Sequence, residues 1–378
     1  MSLSHNGGMI SGVATFDGTE RYASRIGGRL PADHFRRLDA GPRTSSIGIG
    51  TYLGKEDAAT DLQYQKAMTR ALERGINVID TAINYRFQRS ERAIGAALEE
   101  AFGRGLVARD EVIVATKGGF IPFDGRLPPD PGVYVTETYL KPGIVKPDDV
   151  VGGAHCMTSR YLADQIQRSR KNLGLDTLDV YYVHNPETQL EALGPDAFFP
   201  RLRRSFEGLE QAVTDGRIAR YGTATWNGYR VDPETPGYLS LEEVTAAARE
   251  VGGADHHFKV IQLPHNLAMT EAFTRANQRV GGEMVTLAEA ARRLGIYVMA
   301  SASVYQGQLT RNLPPVVAQF LPGLDTDAQR ALQFVRSTPG IGTALVGMKS
   351  VEHVEENAVV TGVSPLVEAD FARLFTPA

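Results

Sequence analysis

The stretch Ile76-Asn77-Val78-Ile79-Asp80-Thr81-Ala82-Ile83-Asn84-Tyr85 decides the reading of this chain. It is a short apolar strand that ends on an aspartate, followed five residues later by a tyrosine. The pattern returns downstream. Glu111 to Thr116 reads as a strand leading into Lys117, and Leu178 to Val183 as a strand leading into His184-Asn185-Pro186. The strand cores Val-Ile-Val-Ala and Val-Tyr-Tyr-Val are apolar throughout, as parallel strands buried on both faces must be.

Outward from these three strands a rhythm of strand then helix covers most of the 378 residues. Ser46 to Gly50 is the first strand, with a helix over Leu62 to Arg74 that Gly75 ends. Helices are predicted over Arg89 to Ala101, Thr158 to Leu173, Arg201 to Asp215, Leu241 to Val251, Gly282 to Leu294, Ala328 to Ser337 and Val351 to Val360. The remaining strands are Ile218 to Thr223, Lys259 to Leu263, Ile296 to Ala300 and Thr343 to Val346. Eight alternations close most economically into a (β/α)8 TIM barrel, with the active site at the carboxyl ends of the strands. Residues 41–378 form the predicted barrel domain. Residues 1–40 form an extension in which Gly12 to Phe16 and Glu20 to Ala23, around Asp17-Gly18-Thr19, predict a hairpin. The segment Gly118 to Met157, rich in proline and aromatics, interrupts the rhythm after strand three and is read as a substrate-covering loop.

Composition excludes several classes. With 40 Lys and Arg against 44 Asp and Glu, the net charge is -4, and no basic excess points to nucleic acid. No apolar run is long enough for a membrane helix, and Met1 to Val13 does not read as a leader. The single cysteine, Cys156, allows no intrachain disulfide and reads as an ordinary thiol. A cytoplasmic setting is expected. His256-His257 reads as a solvated pair, and no metal-ligand spacing is present.

Asp80, Tyr85, Lys117 and His184 suit carbonyl chemistry. A phenol titrates near pH 10, too high for two-way proton transfer at neutral pH. An ammonium beside it favours the phenolate, so Lys117 would lower the pKa of Tyr85, and Asp80 would hold Lys117. His184 would hydrogen-bond a carbonyl oxygen as charge develops there.

This ordered set, with Ile261-Gln262-Leu263-Pro264-His265-Asn266 and Val346-Gly347-Met348-Lys349-Ser350 running on to Glu356-Asn357, resembles the aldo-keto reductase family over about residues 36 to 362. The resemblance implies Asp80, Tyr85, Lys117 and His184 as the catalytic tetrad. It implies a nicotinamide cofactor, NADPH favoured over NADH, held by Gly50, Thr51, Asp80, Thr225, Gln262, Ser301, Gln306, Gly307, Gly347, Lys349, Ser350, His353, Glu356 and Asn357. Gln262 would meet the carboxamide, and Glu356 and Asn357 the adenine. The chain departs from the family at Thr225, where a Ser-Asn pair is usual, at Ser301, where a stacking Tyr is common, and at His353, where an Arg often stands. Phe120 and Trp226 are expected to line a substrate site for an aldehyde, ketone or sugar hydroxyl. Other readings compete, among them a metal-dependent barrel hydrolase, for which the chain lacks His-x-His or a carboxylate cluster at strand ends. A Rossmann reading of Gly48 to Gly54 departs from the glycine fingerprint and leaves Tyr85, Lys117 and His184 unexplained. A slow-turnover redox-sensing subunit would keep the nucleotide site without fast catalysis.

Overall fold

A computed structural model describes residues 8–28 and 30–375. Residues 1–7 of the stretch read as lacking a leader lie outside the described residues. Eight parallel strands close into one barrel. In chain order they are β1 (Ile47–Gly50), β2 (Val78–Asp80), β3 (Ile113–Gly118), β4 (Val180–His184), β5 (Tyr221–Ala224), β6 (Phe258–Pro264), β7 (Tyr297–Ser301) and β8 (Thr343–Gly347). Register runs without interruption from Gly50↔Asp80 to Asp80↔Ala115 and on to Lys117↔Tyr182 and His184↔Ala224. The carboxyl ends of β1 to β5 therefore share one rim. An inner core of Val78, Ile113, Ala115, Val180, Tyr182, Val260, Met299 and Leu345 fills the barrel below that rim.

The helices that jacket the barrel start where capping residues stand. The extension carries α1 (Phe16–Gly27), and α2 (Ala58–Glu73) begins at Asp57, whose carboxylate accepts from Thr60 N. That cap starts α2 four residues before the expected Leu62, because the polar first turn lacks an apolar signal. Next come α3 (Arg89–Gly103), α4 (Ser159–Leu173), α5 (Glu187–Leu193) and α6 (Pro195–Thr214). The last four are α7 (Leu241–Gly252), α8 (Leu287–Leu294), α9 (Asp327–Ser337) and α10 (Val351–Ala358).

Two further elements differ from expectation. The predicted N-terminal hairpin is instead the helix α1. Thr15 caps it by accepting from Gly18 N at 2.9 Å, and Thr19, Tyr22 and Ala23 are buried at helical spacing. Gly18 is not a turn glycine. A Cβ there would stand 2.3 Å from the Asp110 carbonyl oxygen, so the residue serves the close approach of α1 to that backbone. The predicted helix from Gly282 begins only at Leu287. Before it, Gln278–Val280 pairs antiparallel with Glu283–Val285. Gly281 and Gly282 supply the two positive φ angles, +60° and +89°, that such a two-residue turn needs.

The long segment after β3 is a compact loop. It holds helical turns over Pro131–Val135 and Thr136–Leu140, and its two ends are stitched together by Ile121 N→Ala154 O at 2.7 Å and Cys156 N→Gly119 O at 2.8 Å. Cys156 is buried, and burial raises its thiol pKa, so it stays protonated at neutral pH. His256 and His257 are not a solvated pair. His256 is buried, and Nδ1 of His257 lies 2.7 Å from Glu210 Oε2.

Candidate active site

The carboxyl rim opens into a cleft of about 1420 Å³, larger than an ordinary small-ligand pocket of roughly 300–1,000 Å³. Tyr85 and His184 stand at its floor, their ring centroids 6.0 Å apart. Behind them Lys117 is fully buried. Its Nζ donates to Asp80 Oδ2 at 2.7 Å and to the Thr81 carbonyl oxygen at 2.8 Å, and lies 4.9 Å from the centre of the Tyr85 ring. The other Asp80 oxygen accepts from Gln262 Nε2 at 2.7 Å. Asp80 is thus a bridge between β3 and β6, and the carboxamide of Gln262 is already committed on its nitrogen side.

The electrostatics of this group differ from the expectation in one respect. Burial raises the pKa of Tyr85, and the lowering pull of Lys117 does not overcome it. Tyr85 is therefore a protonated phenol, a proton donor, across the neutral range. Burial works against the charge of Lys117 as well, but Asp80 and Tyr85 together raise its pKa, so it remains an ammonium. Burial, assisted by Lys117 and His155, pushes His184 well below the usual histidine range. Its imidazole is neutral at pH 7 and carries one N–H, and its buried Nδ1 has no hydrogen-bond partner.

The cleft brings together most of the residues singled out from the sequence. Gly50, Thr51, Thr225, Trp226, Ser301, Gln306, Gly307, Gly347, Lys349, His353, Glu356, Asn357 and Phe120 all line it. Ser350 does not. It caps α10, its hydroxyl accepting from His353 N at 3.4 Å. Besides His184 Nδ1, two buried polar atoms in the lining, Thr225 Oγ1 and Asn357 Oδ1, have no partner, an arrangement that costs free energy unless a ligand supplies one. Gly347 presents open space where a side chain would project. The loop after β7 holds Ala302, Tyr305 and Gln306 at φ between 45° and 54°, strain of a kind that clusters at ligand sites.

Several lining residues carried no assignment from the sequence. Tyr52, about half exposed, meets the Tyr85 ring edge-on at 5.0 Å. Asn185 stands beside His184 at a φ of 45°. Arg311, exposed on the loop after β7, also lines the cleft. An exposed aromatic directly after a strand end was the available signal for Tyr52. Nothing local marks Arg311, because its loop is irregular. Among the described residues no cluster of His, Cys, Asp or Glu fits a metal ion, and no helix is long and apolar enough to cross a membrane.

Comparison with known proteins bears on the family and the fold. The chain is 26% identical over 200 residues to aldo-keto reductase YhdN of Bacillus subtilis, covering 51% of this chain and 47% of that one. It is 29% identical over 162 residues to a D-threo-aldose 1-dehydrogenase of Pseudomonas, covering 43% of this chain and 46% of the relative. The chain spans about half the length of the curated relatives it matches. Its fold superposes on an aldo/keto reductase of Klebsiella pneumoniae, solved in complex with NADP and acetate, with a TM-score of 0.59 at 22% identity, over 90% of this chain and 94% of that one. The sequence pattern of the aldo/keto reductase family matches residues 46–313, and the chain belongs to that family.

Proposed function

We propose that this protein is a nicotinamide-dependent oxidoreductase that interconverts a small aldehyde or ketone and the corresponding alcohol, sugars included. The observation that carries the reading is the buried Lys117–Asp80 pair set behind a phenol and beside a neutral imidazole at the mouth of the barrel.

The residues of the cleft fit a dinucleotide. Asn357 Oδ1 is an unpartnered buried acceptor of the kind an adenine amino group satisfies, and Thr225 Oγ1, unpartnered as well, and the Gln262 side chain suit a carboxamide. The open face of Gly347 permits close approach of a ligand. Lys349 and Arg311 offer cations to a phosphate, and His353 lines the same end of the cleft, which favours NADPH over NADH. The NADP of the Klebsiella relative supports the same choice. When bound, the nicotinamide supplies or accepts the hydride.

The chain's own part is proton handling and orientation. In the reductive direction Tyr85 Oη gives its proton to the substrate oxygen as that oxygen gains charge. Lys117 stabilises the phenolate left behind, and Asp80 and the Thr81 carbonyl keep the ammonium aimed at it. His184, neutral, gives one N–H to the same oxygen. In the oxidative direction the phenolate takes the alcohol proton, and activity rises with pH as Tyr85 ionises. Tyr52, Phe120 and Trp226 give the cleft an aromatic wall. The aldose dehydrogenase among the relatives supports keeping sugars in the substrate class.

Replacing Tyr85 with Phe tests the reading. Turnover is expected to fall by at least about a hundredfold, while NADPH still binds with wild-type affinity. Near-full activity in Tyr85→Phe would remove the mechanism. NADPH binding by the wild type without turnover on any carbonyl or sugar would place the protein with nucleotide-binding sensors instead.

A further inference from the structure

The long loop of residues 118–157 closes on a histidine to which the mechanism above gives no part. His155 is buried, and its Nε2 stands 2.6 Å from the carbonyl oxygen of His184. The backbone that carries the substrate-facing imidazole therefore hangs on the last turn of the loop.

The polarity of this contact is forced from its far end. Arg201, on α6, donates from Nη1 to Gln189 Oε1 at 2.7 Å. A guanidinium has no acceptor, so the oxygen of the Gln189 amide must face it. The amide nitrogen then faces His155, 3.1 Å from Nδ1 and 3.0 Å from the His155 carbonyl oxygen. Nδ1 must accept, which leaves the single proton of the neutral ring on Nε2, pointed at His184. Burial pushes the pKa of His155 down to about 4, so the ring is neutral at pH 7. Phe120, from the other end of the loop, meets both imidazoles edge-on, at 5.1 Å from His155 and 5.3 Å from His184. Residue 119 is a glycine for this reason. A Cβ there would come within 2.5 Å of the His184 carbonyl oxygen and 2.9 Å of His155 Nε2.

We propose that His155 is a positioning residue for His184, its proton held on Nε2 by Gln189 and Arg201, so that closure of the 118–157 loop sets the aim of the imidazole that meets the substrate. Neither His155 nor Gln189 touches substrate in this account; both act through the His184 backbone. The consequence for turnover rests on the oxidoreductase reading, whereas the protonation pattern does not. The loop is then part of the catalytic machinery and not a surface decoration, and a change as remote as Arg201 alters the site by reversing one amide.

The test combines imidazole nitrogen NMR of the full-length, 15N-labelled protein with steady-state kinetics. In the wild type at neutral pH the shifts of His155 should report a neutral ring protonated on Nε2. In Gln189→Glu a carboxylate replaces the amide, so Nδ1 gains a proton and His155 titrates at a higher pH. The kcat of that variant should fall as pH rises, along a limb that the wild type lacks, because the ring then keeps its proton on Nδ1 and loses the one on Nε2. His155→Leu should lose about tenfold or more in kcat, through misaim of His184, with the KM for NADPH within about twofold of wild type. A wild-type His155 protonated on Nδ1 would overturn the proposal. So would a folded His155→Leu whose kcat stays within about twofold. Should His155→Leu fail to fold, a Gln189→Glu protein with unchanged shifts and pH profile overturns it equally. Failure of the oxidoreductase reading would show separately, as a wild type that turns over no carbonyl or sugar while the NMR pattern stands.

Discussion

Lys117 carries its charge where burial opposes it, and Asp80, two strand residues away around the rim, is what makes that tenable. Breaking such a pair from one side strands the other charge, which costs about 3–5 kcal/mol. Lys117→Met is therefore expected to lose stability on that scale in urea unfolding and to lose turnover. The double change Asp80→Asn with Lys117→Met should recover much of the stability and none of the turnover. Recovery of both would mean that the pair is architectural only. At this scale the sequence was unusually legible. Asp80, Tyr85, Lys117 and His184 each follow a strand whose apolar run is plain, so their common rim follows from the fold. His155, Gln189 and Arg201 were not legible, because their roles depend on which way an amide faces across three separate elements. The direction of the Tyr85 shift also needed coordinates, since it is a contest between burial and Lys117.

The elements around the rim hold their loops through a few buried polar contacts. Glu187, the first residue of α5, accepts from Trp226 N at 2.6 Å and Asn227 N at 3.2 Å, while its Oε2 has no partner. Burial raises its pKa to about 7. Between the ordinary carboxylate value and that one, the folded state holds a proton that the unfolded state has lost. The group therefore stabilises the fold at pH 5, and that contribution disappears as pH rises through about 7. Glu187→Gln should be flat over this window. Its stability relative to wild type should improve by on the order of 2–3 kcal/mol between pH 5 and pH 8, read from unfolding curves at each pH. A constant difference would mean that Glu187 stays ionised throughout. Helix and strand positions were mostly visible in periodicity, and the misses have physical causes. Asp17-Gly18 has the composition of a turn, yet the glycine is there so that α1 can touch the Asp110 backbone. Gly281-Gly282 is the reverse case, a turn pair absorbed into a helix whose cap, Thr286, lies four residues later.

For the whole molecule, the eight alternations close because each strand is apolar on both faces and each helix returns it parallel to the last. That closure places Gly50 beside Gly347 in register and so joins the first and last units of the chain at the cleft. One continuous cavity then runs from Tyr85 and His184 to Lys349, Arg311 and Asn357. Closure was readable from the sequence; the contribution of Arg311 was not, since the loop after β7 has no repeating pattern to place it. The central claim is that this cavity joins a nicotinamide nucleotide site to the proton-donating tyrosine. Titration of the protein into NADPH and into NADH, followed by nicotinamide fluorescence, tests it most directly. The account predicts saturable binding of both, with NADPH tighter by about tenfold or more, equivalent to roughly 1.4 kcal/mol. Absence of saturable binding by either nucleotide would contradict it.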